Sequence, residues 1–265
     1  MLGVVLPVYR EDDLQQTVTE IVDAFLWSPG IAYHICVVEH YDTGFAHQQV
    51  SRKQKIEPDT SWDSPDYNIH YIRLPRKTKI QERMVGSFIG YQWLMENTDC
   101  VAITDLDADL SQNLKQLNFG HQKVKEGVDC VIMSRHKESS ASDRSKSRTR
   151  ISKFITFTCN LLTKFKYPIT DWSHTYRFYS RDAMQKILNV GLIVEPGVMP
   201  MVILLNLLQN GCSVEEYTTS YKEVPGSHVK MKRYARHYLW NLLKGIMIYY
   251  RAENYTKLAI RAQTS

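Results

Sequence analysis

The stretch Ile103-Thr104-Asp105-Leu106-Asp107-Ala108-Asp109-Leu110-Ser111 decides how this chain is read. An apolar, strand-like run, Cys100-Val101-Ala102-Ile103, leads straight into three acidic residues at alternate positions. Alternate residues of an extended strand share a face, so the three carboxylates start out pointing the same way. Like charges crowded on one face are costly unless a cation neutralises them. Hard divalent cations such as Mg²⁺ or Mn²⁺ take oxygen ligands and are commonly held by one or two carboxylates plus substrate phosphates. A strand ending in Asp-x-Asp therefore reads as a metal–diphosphate site with Asp107 and Asp109 as ligands; the plain alternative is a solvated acidic turn.

The segments around this motif set its context. Short apolar strands are expected over 3–6, 32–39, 68–74, 101–104 and 129–134. Amphipathic helices are expected over 12–27, 81–96 and 113–125. Strands alternating with helices imply βαβ units and a mostly parallel sheet covered on both faces. In such sheets ligands bind outside the carboxyl ends of the strands, where the acidic motif lies. Further on, helices are expected over 151–165, from Arg181, and over 200–209, with a strand over 212–217. Residues 47–67 read as a polar insertion. Residues 136–150, with Lys137, Arg144, Lys146, Arg148 and Arg150 among serines, read as a mobile basic loop. Residues 234–251 mix aromatic and aliphatic side chains with Lys and Arg. They read either as a helix lying on a membrane surface or as one packed on the domain.

Composition narrows the classes. A chain of 265 residues with 43% hydrophobic and 23% charged residues can bury one sizeable core. The formal charge of +5 suits an anionic substrate or an anionic membrane surface, and no RNA- or DNA-recognition signature accompanies it. Cys36, Cys100, Cys130, Cys159 and Cys212 form no C-x-x-C pair; an odd count without motif spacing predicts reduced thiols. The chain opens on a core strand with no secretory signal before it, and no apolar run reaches the roughly 18 residues of a spanning helix.

Several segments together resemble family 2 glycosyltransferases, most closely the dolichyl- and polyprenyl-phosphate sugar synthases. Val4-Val5-Leu6-Pro7-Val8-Tyr9-Arg10-Glu11 resembles the family's opening strand and P-x-Y-N-E turn. Asp105 to Gln112 resembles its D-A-D-L-S-H metal motif, and Val131-Ile132-Met133-Ser134-Arg135-His136 its V-I-G-S-R-Y strand. Asp171-Trp172-Ser173-His174-Thr175-Tyr176-Arg177-Phe178-Tyr179 is similar to D-P-T-S-G-F-R-A-Y, and Gly226 to Met231 is loosely similar to G-x-S-K-M. Five motifs in the right order weigh more than any one alone. The second strand departs from the family's D-D-G-S and ends Val38-Glu39-His40-Tyr41-Asp42.

The resemblance implies a GT-A (Rossmann-like) fold over 1–232 with a C-terminal helical, membrane-associating segment over 233–265. It implies an inverting, metal-dependent transfer of a sugar from a nucleotide-diphosphate sugar to a polyprenyl or dolichyl phosphate. The enzyme would work at the cytoplasmic membrane face, without nucleic acid. Asp107 and Asp109 would hold the metal, and Asp109, Arg135, Arg148 and Glu195 would act at the reacting centre. Pro7, Tyr9, Glu11, Glu39, Arg83, Asp107 and Lys230 would bind the nucleotide-sugar. A phosphate acceptor is already anionic and needs alignment and charge neutralisation rather than a base; a sugar hydroxyl would need one, and Glu195 is the candidate. A non-catalytic nucleotide-sugar-binding scaffold is the other alternative.

Overall fold

The structure is a computed structural model, and it describes residues 1–8, 14–26, 31–39, 67–73, 83–143, 145–191 and 199–222. In chain order these form β1 (Leu2–Val8), α1 (Leu14–Leu26), β2 (Tyr33–Glu39), β3 (Tyr67–Arg73), α2 (Arg83–Asn97) and β4 (Ala102–Asp105). A 3₁₀ turn (Leu114–Gln116) runs into α3 (Leu117–Lys125). There follow β5 (Cys130–Ser134), β6 (Ala141–Ser142), α4 (Lys146–Leu162), β7 (Arg177–Ser180), α5 (Arg181–Val190), α6 (Met199–Gln209), β8 (Val214–Thr218) and β9 (Ser220–Tyr221).

Seven strands make one sheet in the order β3-β2-β1-β4-β7-β5-β8, and β6 pairs with β9 apart from it. All neighbours in the large sheet are parallel except β7, which runs antiparallel to both β4 and β5. The mostly parallel sheet expected from the alternation of elements is therefore present, with one reversed strand that the alternation does not announce. Helices cover both faces. Val5, Cys36, Val38, Cys130 and Ile132 point into a core shared with α2, α5 and α6. Their strand neighbours Val4, Leu6, Ile35, Val37, Val131 and Met133 point into a second core with α1 and α3. Burial on both sides is why these strands are apolar throughout rather than alternating. The helix α2 lies so close to β1 that a Cβ on Gly90 would come within 2.3 Å of Val5 Cγ1.

Strand order reverses between β1 and β4: β2 and β3 build outward on one side, β4 and its followers on the other. This is the switch point at which an open α/β sheet offers a crevice. Pro7 helps to open it. Val5 and Asp105 are the last β1–β4 pair, and Val5 O accepts from Leu106 N at 2.9 Å. Residues two apart on a strand aim their backbone groups to the same side. The nitrogen of Pro7 therefore faces the β4 side beyond that last pair, where its missing N–H leaves no ladder bond unmade.

One sequence expectation shifts. The basic segment over 136–150 is not a loop throughout, because Lys146 to Arg150 form the opening turns of α4. Their polarity disguised a helix whose inner face, Ser152, Ile155, Thr156 and Cys159, is buried. The polar insertion over 47–67 and the segment 234–251 lie outside the described residues, apart from Tyr67 at the start of β3. All five cysteines are unpaired and buried.

Candidate active site at the end of the fourth strand

The acidic motif does not continue as a strand. Strand β4 ends at Asp105, and the chain turns over Asp107 to Leu110, where Leu110 N bonds Asp107 O at 3.0 Å and Leu110 takes a positive φ of 49°. The three carboxylates thus do not share a pleat face. Asp105 is 1% exposed, Asp107 is half-buried and Asp109 is exposed. The first two are drawn together by a cation from another element: Arg83 Nη1 lies 2.9 Å from Asp105 Oδ2, and Arg83 Nε pairs with Asp107 Oδ1. One turn along α2, Ser87 Oγ donates to Asp105 Oδ2 at 2.9 Å, as positions four apart on a helix share a face. The two carboxylates hold the Arg83 guanidinium above its usual pKa, against its own burial.

Gln112 fixes Asp107 from the other side, with Nε2 donating to Asp107 Oδ2 at 2.7 Å and Oε1 accepting from Asp107 N at 2.9 Å. Asp109 Oδ1 accepts from Ser111 N at 3.0 Å. Its carboxyl is raised above the ordinary range, first by loss of hydration in the surrounding cleft and then by Asp107. Thr17 Oγ1 of α1 donates to Ala108 O at 3.0 Å, so the turn is also held from the second core.

This donor set fits a hard divalent cation. Asp109 is accessible, its Oδ2 receives no hydrogen bond from the described residues, and it repels Asp107, a strain that a cation relieves. Among the described residues no group of three or more His, Cys, Asp or Glu side chains could hold a metal alone. The protein would supply one or two carboxylates and leave the remaining positions to diphosphate oxygens and water. Arg83 already occupies Asp107 Oδ1, so Asp109 is the more available ligand.

Glu39 ends β2 beside Val8 of β1 and Arg73 of β3. It is 1% exposed, and Tyr71 of β3 donates its hydroxyl to Glu39 Oε2. Glu39, Pro7 and the acidic turn therefore share the carboxyl edge of three adjacent strands.

Arg135 is placed differently from expectation. It follows β5 and is 8% exposed. Its Nε donates to Asp171 Oδ2 at 2.8 Å and its Nη2 to Asp171 Oδ1 at 2.9 Å and to Ser173 Oγ at 3.0 Å. The fork that would grip a phosphate is closed on a buried carboxylate, and Asp171 in turn lies far below the usual carboxylate range, held there by Arg135 against its own burial. His174 Nδ1 donates to Met133 O at 2.5 Å, while its Nε2 is buried without a hydrogen-bond partner among the described residues. Burial first, and Arg135 second, keep that imidazole neutral. Arg177 is fully buried and donates to Pro200 O and Trp172 O at 2.7 and 2.8 Å, which makes it a brace between β7 and α6.

Arg148 sits half-buried in the first turn of α4. Tyr9, Glu11, Glu195 and Lys230 lie outside the described residues. The backbone that leads toward Lys230 is described as far as Lys222, whose N–H bonds Ser111 O at 3.1 Å, with Tyr221 bridged to Gln112. That segment thus leaves from beside the acidic turn. Sequence reasoning assigned no role to Ser87, Gln112, Tyr71 or Asp171. Gln112 and Asp171 stood inside quoted motifs, and Ser87 stands one helical turn from Arg83.

No protein-family model and no curated protein matches this sequence. Solved structures do. Glucosyl-3-phosphoglycerate synthase from Mycobacterium tuberculosis, in complex with Mn²⁺, uridine diphosphate and phosphoglyceric acid, superposes with a TM-score of 0.60 at 10% identity, covering 94% of this chain and 78% of that one. The fold is GT-A. A second complex of that synthase, with Mn²⁺, UDP-glucose and phosphoglyceric acid, gives 0.58 at 11% identity over 92% and 79% of the two chains. A mycobacterial protein without a stated activity gives 0.61 at 12% identity over 92% and 74%. These neighbours bear out the GT-A expectation of a mostly parallel sheet flanked by helices, and the catalytic members among them are glycosyltransferases.

Proposed function

We propose that the protein is an inverting, metal-dependent glycosyltransferase. It would move a sugar from a nucleotide-diphosphate sugar to a phosphate-bearing acceptor, a polyprenyl or dolichyl phosphate at the cytoplasmic face of a membrane. The observation that carries this reading is the position of Asp105, Asp107 and Asp109, with Arg83, at the crevice where the strand order reverses. Glu39 stands two strands away on the same edge. The GT-A neighbours bound to Mn²⁺, UDP-glucose and phosphoglyceric acid support the donor class, the metal and a phosphorylated acceptor.

In this reading Glu39, fixed by Tyr71, accepts a hydrogen bond from the base or ribose of the nucleotide. Pro7 keeps the β1 edge open for it. Asp109 with Asp107 would hold Mg²⁺ or Mn²⁺, which would supply Lewis-acid stabilisation to a departing diphosphate. Arg83 orients Asp107 and holds Asp105 in place. A phosphate oxygen of the acceptor attacks the anomeric carbon from the face opposite the diphosphate. The bond from that carbon to the diphosphate oxygen breaks, and the nucleoside diphosphate leaves with both electrons. The acceptor has no proton to lose, so no base is required.

A second reading has a specific observation in its favour. Arg135, the expected phosphate ligand, is committed to Asp171. A hydroxyl acceptor, with Glu195 taking its proton, fits that commitment.

The test begins with thermal stabilisation by UDP-, GDP- and other nucleotide-sugars with Mn²⁺, since a ligand of the folded state raises the melting temperature. Transfer is then measured to a polyprenyl phosphate, to the neutral polyprenol and to phosphoglycerate. Metal-dependent transfer to the polyprenyl phosphate alone is the expected result. Transfer only to hydroxyl acceptors, abolished by Glu195→Gln, establishes the second reading. Nucleotide-sugar binding without transfer to any acceptor leaves a scaffold.

A further inference from the structure

The helix α4 and the turn after it carry an apolar face that is exposed among the described residues. Phe154, Phe157, Leu161 and Phe165 are 57%, 56%, 53% and 52% exposed, and Ile151 is 37% exposed. At 3.6 residues per turn Ile151, Phe154, Phe157 and Leu161 fall within a sector of about 120°, and Phe165 follows just past the helix end. Ser152, Ile155, Thr156 and Cys159 occupy the opposite side and are buried. Phe157 and Phe165 meet edge to face, with ring centroids 6.3 Å apart, so the apolar surface continues past the end of the helix. Single exposed apolar residues need no explanation, but a contiguous row on one face marks an interaction site.

Charge selects the partner. From Lys146 to Lys166 the chain has six basic residues, Lys146, Arg148, Arg150, Lys153, Lys164 and Lys166, and no acidic one. On the same helical wheel Lys146 and Lys153 border one side of the apolar sector and Arg150 lies just inside that edge; all three are exposed, as is Lys164 just past the helix end. An apolar row edged by cations on a helix too short and too charged to cross a bilayer is the pattern of a helix lying in a lipid interface. A second copy of this chain would set cations against cations, and a purely apolar partner would give the lysines nothing to meet.

We propose that α4 docks the protein on an anionic bilayer. Phe154, Phe157, Leu161 and Phe165 enter the acyl boundary, and the flanking lysines and Arg150 meet acidic headgroups. This rests in part on the reading of the acceptor as a lipid phosphate, and it gives that reading a geometry. The buried face of α4 bonds the loop that holds Arg135: Ser152 Oγ lies 2.8 Å from Ser173 Oγ, Trp172 N donates to Thr156 Oγ1 at 3.4 Å, and Trp172 Nε1 to Asn160 Oδ1 at 2.7 Å. A bilayer on the outer face of α4 would then lie one helix diameter, about 10 Å, from the Arg135–Asp171 loop.

The experiment is co-sedimentation of the full chain with phosphatidylcholine vesicles with and without phosphatidylglycerol. The native chain is compared with a Phe154→Ser, Phe157→Ser, Leu161→Ser variant and a Lys153→Glu, Lys164→Glu variant, each checked for native melting. The native chain is expected to bind the anionic vesicles and to be released by salt, and each variant to bind at least about tenfold more weakly. Native-like binding by the serine variant overturns the proposal. So does a native dimer that the serine variant splits, because the stripe would then be a subunit interface. Transfer separates this proposal from the functional one. Lost vesicle binding, with transfer to a short water-soluble prenyl phosphate retained, supports both. Intact α4-dependent binding with no transfer to any prenyl phosphate sinks the acceptor reading alone.

Discussion

Asp171 holds Arg135 in a two-pronged grip, 2.8 and 2.9 Å long, in a site where the carboxylate is fully buried and the arginine side chain nearly so. Removing one partner of such a pair strands the other charge in a medium that cannot solvate it, at about 3–5 kcal/mol. Arg135→Ala is therefore expected to lower the unfolding free energy by that amount, read from a lowered urea midpoint, and any loss of activity would follow from the damage. A variant with native stability and no transfer would restore the role in phosphate binding that the sequence suggests for Arg135.

The neutral histidine at the centre of this network makes stability depend on pH. His174 has a pKa depressed well below 6.5 in the folded protein. Below pH about 6.5 the unfolded chain thus binds a proton that the folded chain refuses, and stability falls with pH at about 1.4 kcal/mol per unit. His121, lowered to about 4 by burial and then by nearby positive charge, adds in the same sense until it too protonates. Urea midpoints taken from pH 7.5 to 4.5 should decline steadily, and more gently in His174→Asn, whose amide can still donate to Met133 O. Identical slopes would show that His174 is charged in the fold.

Arg83 and a divalent cation answer the same need, to neutralise the acidic turn. Arg83→Met leaves Asp105 buried without its cation, which predicts a lower melting temperature in EDTA. It also predicts a larger upward shift on adding Mn²⁺ than the native protein shows. Asp109→Asn should do the reverse, with apo stability kept or improved by relief from Asp107 and the Mn²⁺ shift lost. Differential scanning calorimetry with and without Mn²⁺ checks both. An undiminished metal response in Asp109→Asn would remove that residue from the ligand set.

Glu39→Gln should weaken uridine or guanosine diphosphate binding by roughly ten- to a hundred-fold, the measure of one charge-assisted hydrogen bond at about 1.5–3 kcal/mol. Tyr71→Phe, which frees the carboxylate from its hydroxyl partner, should have a smaller effect. Titration calorimetry distinguishes the two, and equal affinities across all three proteins would place the nucleotide elsewhere.

The sequence disclosed the fold where physics leaves a local trace. Strands β1, β2 and β5 are buried on both faces and read as unbroken apolar runs, and β4 announces itself by the charge at its end. The reversed strand β7 left no such trace, because Arg177-Phe178-Tyr179-Ser180 has the same pattern whichever way it runs. The start of α4 was hidden because solvated basic residues look alike in a helix and in a loop. At the site, motif spacing put Asp107 and Asp109 just past the end of β4, where the turn carries them, but partnership was invisible. Arg83 reaches across more than twenty positions to its carboxylates, and Arg135 meets Asp171 across thirty-six. Spacing of that size says nothing about which charge an arginine will choose.

Pro7 carries a consequence beyond its place on the strand. Most active-site clefts can be closed in principle by a neighbouring strand that extends its ladder by two residues. Here that zipper is broken covalently, since the imide nitrogen of Pro7 has no hydrogen to offer a longer β4. The opening beside Asp105 is thus written into the chain itself and does not depend on a bound molecule to prop it apart. Pro7→Ala should fold without difficulty, yet it would return to this edge a donor with nothing assigned to it. The protein would gain a capacity for self-pairing at the crevice where the strand order reverses.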